Sequence, residues 1–158
     1  SSARCMVDML ELVKSYCYLP FTNGSNSLKD VLPAILNSST ALQAKYSKPI
    51  YGAKGGIESH NFEDWQWARK ENGRAIDPYE LLPRMFDDAT EKTQELISDE
   101  SELREASAAM IAYARAQYEE MSEYEREQLF QALRKYCELD TLAMVMLYEG
   151  WMDLIGSN

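Results

Sequence analysis

Leu133-Arg134-Lys135-Tyr136-Cys137-Glu138-Leu139-Asp140-Thr141-Leu142-Ala143-Met144-Val145 is the stretch on which the reading of the chain turns. Tyr136 and Asp140 stand four residues apart, so on a helix they share one face, and Leu129, Leu133, Ala143, Leu147 and Trp151 continue that face at spacings of three and four. A carboxylate inside an apolar stripe is costly unless a metal, a cation or backbone N–H groups meet it. Two readings follow. Asp140 can end one helix and cap the next, accepting N–H bonds from the first turn of Thr141-Leu142-Ala143 while Tyr136 packs. Alternatively, Tyr-x-x-x-Asp is a constellation in which the carboxylate binds a divalent metal and the phenol positions a water for attack on phosphate. The spacing fits both.

Outward from this stretch the second half of the chain reads as helix. Ser122 and Glu125 form a Ser-x-x-Glu capping box that opens the helix carrying Tyr136 and Asp140, and the pattern runs toward Gly156. Thirty-odd residues at the helical rise would span roughly 50 Å, long for so small a domain, which predicts a break between Glu138 and Thr141 or at Gly150. Asp99 and Glu102 begin an alanine-rich helix reaching about Met121. A further helix, Tyr79 to Ala89, starts at Asp77-Pro78, an N-cap followed by proline at the first helical position.

The first half is less regular. Arg4 to Val7 reads as a short strand leading into a helix over Met9 to Tyr16. Ser27-Leu28-Lys29-Asp30 has the form of a capping box before a helix through Val31 to Leu36, which Pro33 limits or kinks, and Ser39 to Tyr46 is a second short helix stopped by Pro49. Residues 47–78 form an irregular segment in which glycines deny a long helix. Trp65-Gln66-Trp67 alternates, Asn72-Gly73 is a strong turn signal and Ala75-Ile76 returns, which predicts a β-hairpin. The tryptophans are either a stacking platform for bases or a local mini-core. The expected fold is predominantly α with minor β, one domain over residues 1–158.

The chain has 158 residues, 46% of them hydrophobic, and a formal charge of −10. The charge is local: residues 77–127 hold 15 acids against 5 bases, and this acidic helical segment reads as a solvated surface or a protein-binding face. Residues 1–76 carry 9 bases against 7 acids, so the overall acidity does not exclude phosphate contact there. The longest apolar runs fall short of the roughly 20 residues that a membrane helix requires, so no membrane association is expected. Cys5, Cys17 and Cys137 are an odd number without metal-type spacing, which points to free thiols and a cytoplasmic location. His60 is the one histidine, set in a Gly-rich polar stretch, which argues against a Ser-His or Cys-His machine.

Val7-Asp8-Met9-Leu10-Glu11-Leu12-Val13, Gly24-Ser25-Asn26-Ser27-Leu28-Lys29-Asp30-Val31-Leu32-Pro33-Ala34, Pro49-Ile50-Tyr51-Gly52, Asp77-Pro78-Tyr79-Glu80-Leu81-Leu82-Pro83, Ala108-Ala109-Met110-Ile111-Ala112-Tyr113-Ala114 and Tyr136 to Val145 follow one another as ordered blocks. Together they resemble an uncharacterised bacterial domain family whose members are similar to the DEDD 3′–5′ exonucleases of the RNase H-like fold. The resemblance implies that Asp140 is the last carboxylate of a two-metal site and that Tyr136 orients the attacking water, as in the tyrosine subgroup of these enzymes. It implies Mg²⁺ or Mn²⁺ as cofactor. The wider superfamily also uses an Asp-x-Glu pair on its first strand and a further helical aspartate. Both precede the block that matches the start of this chain and neither is found in it.

Asp8 follows those motifs and is expected to be structural. The chain begins Ser1-Ser2-Ala3-Arg4, without an initiator methionine, and the resemblance implies the C-terminal half of a longer exonuclease-like protein with residues 77–127 as a helical insertion. Lacking the first strands, the apolar faces of the first and last helices would pack on each other, dimerise or stay exposed, so a partner is expected, either the missing N-terminal half or a second copy. Two functions are therefore expected: an exonuclease-like nucleic-acid-processing domain, catalytically incomplete in this chain, or a helical protein-interaction or structural module in which Tyr136 and Asp140 only pack and cap.

Overall fold

The computed structural model describes residues 7–22, 24–82, 113–114, 116–118 and 120–156. They contain the helices α1 (Met9–Tyr16), α2 (Leu28–Ser38), α3 (Thr40–Tyr46) and α4 (Glu123–Gly156), the antiparallel pair β1 (Lys70–Glu71) and β2 (Arg74–Ala75) and a 3-10 turn (Pro78–Leu81), and residues 113–114 and 116–118 are helical as well. The fold is thus predominantly helical with minor β structure. The Arg4–Val7 strand, the helix from Asp99 to Met121 and the part of the Tyr79–Ala89 helix beyond Leu82 lie largely outside the described residues.

The core forms where α2 and α3 lie across the C-terminal half of α4. Val31, Leu32, Ile35 and Leu36 from α2, Leu42 and Tyr46 from α3, and Leu139, Leu142, Ala143, Met146 and Leu147 from α4 are buried together. Each large aliphatic side chain so buried contributes on the order of 1.5–3 kcal/mol, which is why the stripe at spacings of three and four seals against its neighbours. Gly150 lies at a close contact with α2 and α3. A Cβ there would fall 2.4 Å from Ile35 Cγ1 and 2.8 Å from Leu42 Cδ1.

Helix α4 corrects two expectations. It runs unbroken for 34 residues, through both Glu138–Thr141 and Gly150. The helix can be this long because it is not confined to the core: its buried residues begin only at Leu139, and the half before them reaches beyond it. Gly150 is used for helix–helix contact and not for a break. The Ser122 box closes as expected, with Ser122 N–H donating to Glu125 Oε2 at 2.8 Å and Glu125 N–H donating to Ser122 Oγ at 3.2 Å. The Ser27 box does not. Ser27 is the N-cap of α2 but its side chain makes no capping bond. Helix α2 continues through Pro33 to Ser38, and the Asn37 amide donates to the Pro33 carbonyl at 2.8 Å.

The hairpin turns at Asn72-Gly73, both in the left-handed region at φ 51° and 81°, as a two-residue turn between twisted strands requires. Its ladder starts after the tryptophans instead of running through them. The physical reason is competition for donors: the N–H groups of Trp67 and Ala68 both bond the Tyr46 carbonyl, at 3.0 and 2.9 Å, satisfying the end of α3. Trp67 is fully buried and packs edge-on against Tyr51 and Phe62, so the pair forms a mini-core. Gly52 allows this fold-back, since at φ 76° a Cβ would lie 2.0 Å from the Phe62 carbonyl oxygen.

Candidate active site

Asp140 sits in the middle of α4, where backbone N–H groups are already spent on the helix, so its carboxylate does not cap anything. It accepts instead from a side chain far away in sequence. Tyr79 Oη donates to Asp140 Oδ1 at 2.5 Å. Tyr136, one turn before Asp140, lies beside the same phenol, the two rings tilted at 50° with centroids 5.6 Å apart. The sequence pair is therefore brought together on one helix face, with Tyr79 as a third member.

The phenol reaches this position because its backbone is fixed. Asp77 caps the 3-10 turn, accepting from Tyr79 N–H at 3.0 Å, and Pro78 is buried at its start, as the Asp-Pro pair predicted, although the element is a 3-10 turn. Burial, with the Asp140 carboxylate second, pushes the Tyr79 hydroxyl well above its ordinary range. The proton stays on Tyr79. Burial also raises Asp140 above the usual aspartate range, against the opposing pull of the Tyr79 bond and the positive charge of Lys29. The site is thus a half-buried carboxylate, two phenols and a nearby ammonium group, a setting that disfavours an unmatched negative charge.

Glu138 is a second carboxylate centre on the other edge of the buried stripe. Tyr51 Oη and Ser59 Oγ donate to its Oε1 at 2.7 and 2.5 Å, and Asn61 Nδ2 donates to Oε2 at 2.5 Å. Burial pushes its pKa up, but the bonds from Ser59, Asn61 and Tyr51 and the charge of His60 together outweigh it and hold it below the usual glutamate range. Farther along, Glu149 accepts from Lys45 Nζ at 2.6 Å and from Tyr46 Oη at 3.0 Å, and Asp153 accepts from the fully buried Ser39 hydroxyl at 2.6 Å. Four carboxylates of α4 thus receive O–H groups from the first half of the chain.

Other sequence candidates resolve simply. Asp8 is structural as expected: it caps α1, its Oδ1 accepting from Leu10 and Glu11 N–H at 2.9 and 3.3 Å. His60 is exposed and near Glu138, and Cys137 is an exposed thiol pushed up by partial burial and by the Asp140 charge, the wrong direction for a nucleophile. Sequence reasoning missed Tyr79 and Glu138. Each stood in a quoted block, but nothing local tells that residue 79 meets residue 140.

The implied metal can be tested against these side chains. Among the described residues no three His, Cys, Asp or Glu side chains converge as a metal site, and the one candidate ligand, Asp140, already accepts a short bond. The donors among the described residues do not make up a two-metal centre. No helix of the described residues is long and apolar enough to cross a membrane. Comparison with family models, with curated proteins and with solved structures gave no match.

Proposed function

We propose that the chain is part of an exonuclease-like, nucleic-acid-processing protein, to whose phosphodiester-hydrolysing site it supplies Tyr136 and Asp140. One observation carries this reading. The two side chains named by the resemblance share a face of an unbroken helix, with the carboxylate half-buried and not spent on any backbone cap. Mg²⁺ or Mn²⁺ remains the proposed cofactor, with its other ligands coming from outside the described residues, and we draw no step through it. The part played by this chain is to hold a phenol and a carboxylate in register on a stiff element.

A partner belongs to the same proposal, either a further segment of the same protein or a second copy. Met144, Val145, Tyr148, Met152 and Ile155 are exposed on the side of α4 away from the core, an apolar ridge of the kind that protein contacts cover. On the first helix the picture differs, since Val13 is buried and the Trp151 indole N–H donates to Cys17 Sγ at 3.4 Å just beyond it.

A second reading, a helical interaction or structural module, is favoured by a different observation. Asp140 accepts an O–H group just as Glu138, Glu149 and Asp153 do, so all four bonds can serve only to clamp the first half of the chain onto α4. Hydrolysis of a labelled single-stranded oligonucleotide by the full-length protein with Mn²⁺ separates the two. Tyr136→Phe is expected to slow it about a hundredfold while leaving the fold intact. A wild-type rate in that variant removes Tyr136 from the chemistry and leaves the clamp.

A further inference from the structure

Arg69, Arg74 and Lys135 lie over aromatic rings and, among the described residues, pair with no acid. Arg69 Cζ is 5.2 Å from the Trp65 ring, Arg74 Cζ 5.0 Å from the Phe21 ring and Lys135 Nζ 5.7 Å from the Phe62 ring. Glu63, Asp64 and Glu71 are exposed nearby along the chain and take none of these cations in an ion pair. Lys45 differs, since it lies over a ring and is also neutralised by Glu149. A ring fixes a cation in place and leaves its charge unspent.

The hairpin register sets two of the cations together. Arg74 is paired with Glu71, and Ile76 N–H donates to the Arg69 carbonyl at 2.9 Å, so residues 69, 71, 74 and 76 share one face of the ladder and Lys70 and Ala75 the other. Arg69 and Arg74 are thus diagonal neighbours on one face. From Arg69 the row continues through rings: half-buried Trp65 packs on Phe62 with centroids 5.4 Å apart, and over Phe62 lies Lys135, the residue before Tyr136 on α4. At the other end Phe21 is 56% exposed and has its backbone in the left-handed region at φ 76°, a rare and costly conformation for a bulky side chain. The indole N–H groups of Trp65 and Trp67 are buried and find no acceptor among the described residues. The row therefore combines positive charge, ring faces and spare donors.

We propose that Lys135, Arg69 and Arg74, with Trp65 and Phe21, form a contact surface for single-stranded nucleic acid, the cations meeting phosphates and the rings stacking on bases. The surface deepens the nuclease reading and rests on it for its purpose, since its inner end adjoins Tyr136 on α4. Paired bases offer no free face to a ring, so the strand is single. An acidic protein segment would use the charges and leave the rings idle.

Fluorescence anisotropy of a labelled oligothymidine, titrated with the full-length protein in EDTA, tests the surface without any hydrolysis. Arg69→Gln, Arg74→Gln and Lys135→Gln are each expected to weaken binding several-fold and to make the dependence of log affinity on log salt shallower by about 0.7, the step for one phosphate contact on a single strand. Lys70→Gln removes the same charge from the opposite face of the hairpin and is expected to change neither. Phe21→Leu keeps every charge and is expected to weaken binding about tenfold with the salt slope unchanged. Arg69, Lys70, Arg74 and Phe21 are exposed, and an unchanged thermal midpoint checks that these variants fold. No binding by the wild type, no loss in the arginine variants or in Phe21→Leu, or an equal loss in Lys70→Gln overturns the proposal. Displacement of the oligonucleotide by poly-glutamate at equal charge, with Phe21→Leu silent, overturns it in favour of an acidic protein partner. A full-length protein that binds with these losses and hydrolyses nothing would remove the activity and keep the surface; hydrolysis with wild-type binding in the arginine variants would do the reverse.

Discussion

Glu138 and Asp140 are two residues apart on α4, and their surroundings push them in opposite directions. The folded pKa of Glu138 lies below its ordinary value of 4.5, so the unfolded chain binds more protons just below that value. The stability Glu138 contributes is complete above the ordinary range and is lost as pH falls through the folded value. For Asp140 the folded pKa lies above the ordinary 3.8, so the folded chain takes the proton first and mild acidification through that window adds stability. Urea titrations over a pH series should separate them: Glu138→Gln is expected to cost about 1 kcal/mol at neutral pH and to flatten the acid-side loss below the glutamate range. The same slope in wild type and variant would mean that Tyr51, Ser59 and Asn61 do not depend on the charge.

At this scale sequence reasoning reached as far as local spacing reaches. Tyr136 and Asp140 share a face because helix geometry alone puts them there, and Ser122 caps because its partner is three residues away. Tyr79 was beyond reach. Its contact with Asp140 depends on how the 3-10 turn settles on α4, which no neighbouring residue encodes.

Among the elements, α4 organises everything else described. The sequence gives its start at the Ser122 box and its apolar stripe, yet it suggested a break where the helix continues. The spacing allows Asp140 either to cap a helix or to bind a metal, whereas the helix continues through it and a phenol from the other half of the chain donates to its carboxylate. Gly150 reads as a breaking point in the sequence because the side chains it meets, Ile35 and Leu42, lie more than a hundred residues away along the chain. Gly150→Ala tests that contact. The added methyl must displace Ile35 or Leu42, and a loss of about 1–3 kcal/mol is expected in a denaturant midpoint, although alanine is the better helix former by up to about 1 kcal/mol. A stabilised variant would mean that α2 and α3 can retreat from α4.

For the molecule as a whole, the first half of the chain folds over the C-terminal half of one long helix and is fastened to its carboxylates by hydroxyl groups. The acidic balance of the sequence obscured this. The four acids of residues 128–158 are held by O–H, amide and ammonium donors, while the dense charge of residues 77–127 falls mostly outside the described residues. What separates a clamp from a reaction centre at Asp140 is the charge, and Asp140→Asn removes the charge alone, since the amide oxygen still accepts from Tyr79. Hydrolysis of a single-stranded oligonucleotide by the full-length Asp140→Asn protein, at matched folded fraction, is expected to fall at least a hundredfold while the thermal midpoint stays within a few degrees of wild type. An unchanged rate would contradict a chemical role for Asp140 and leave it as one of four clamps.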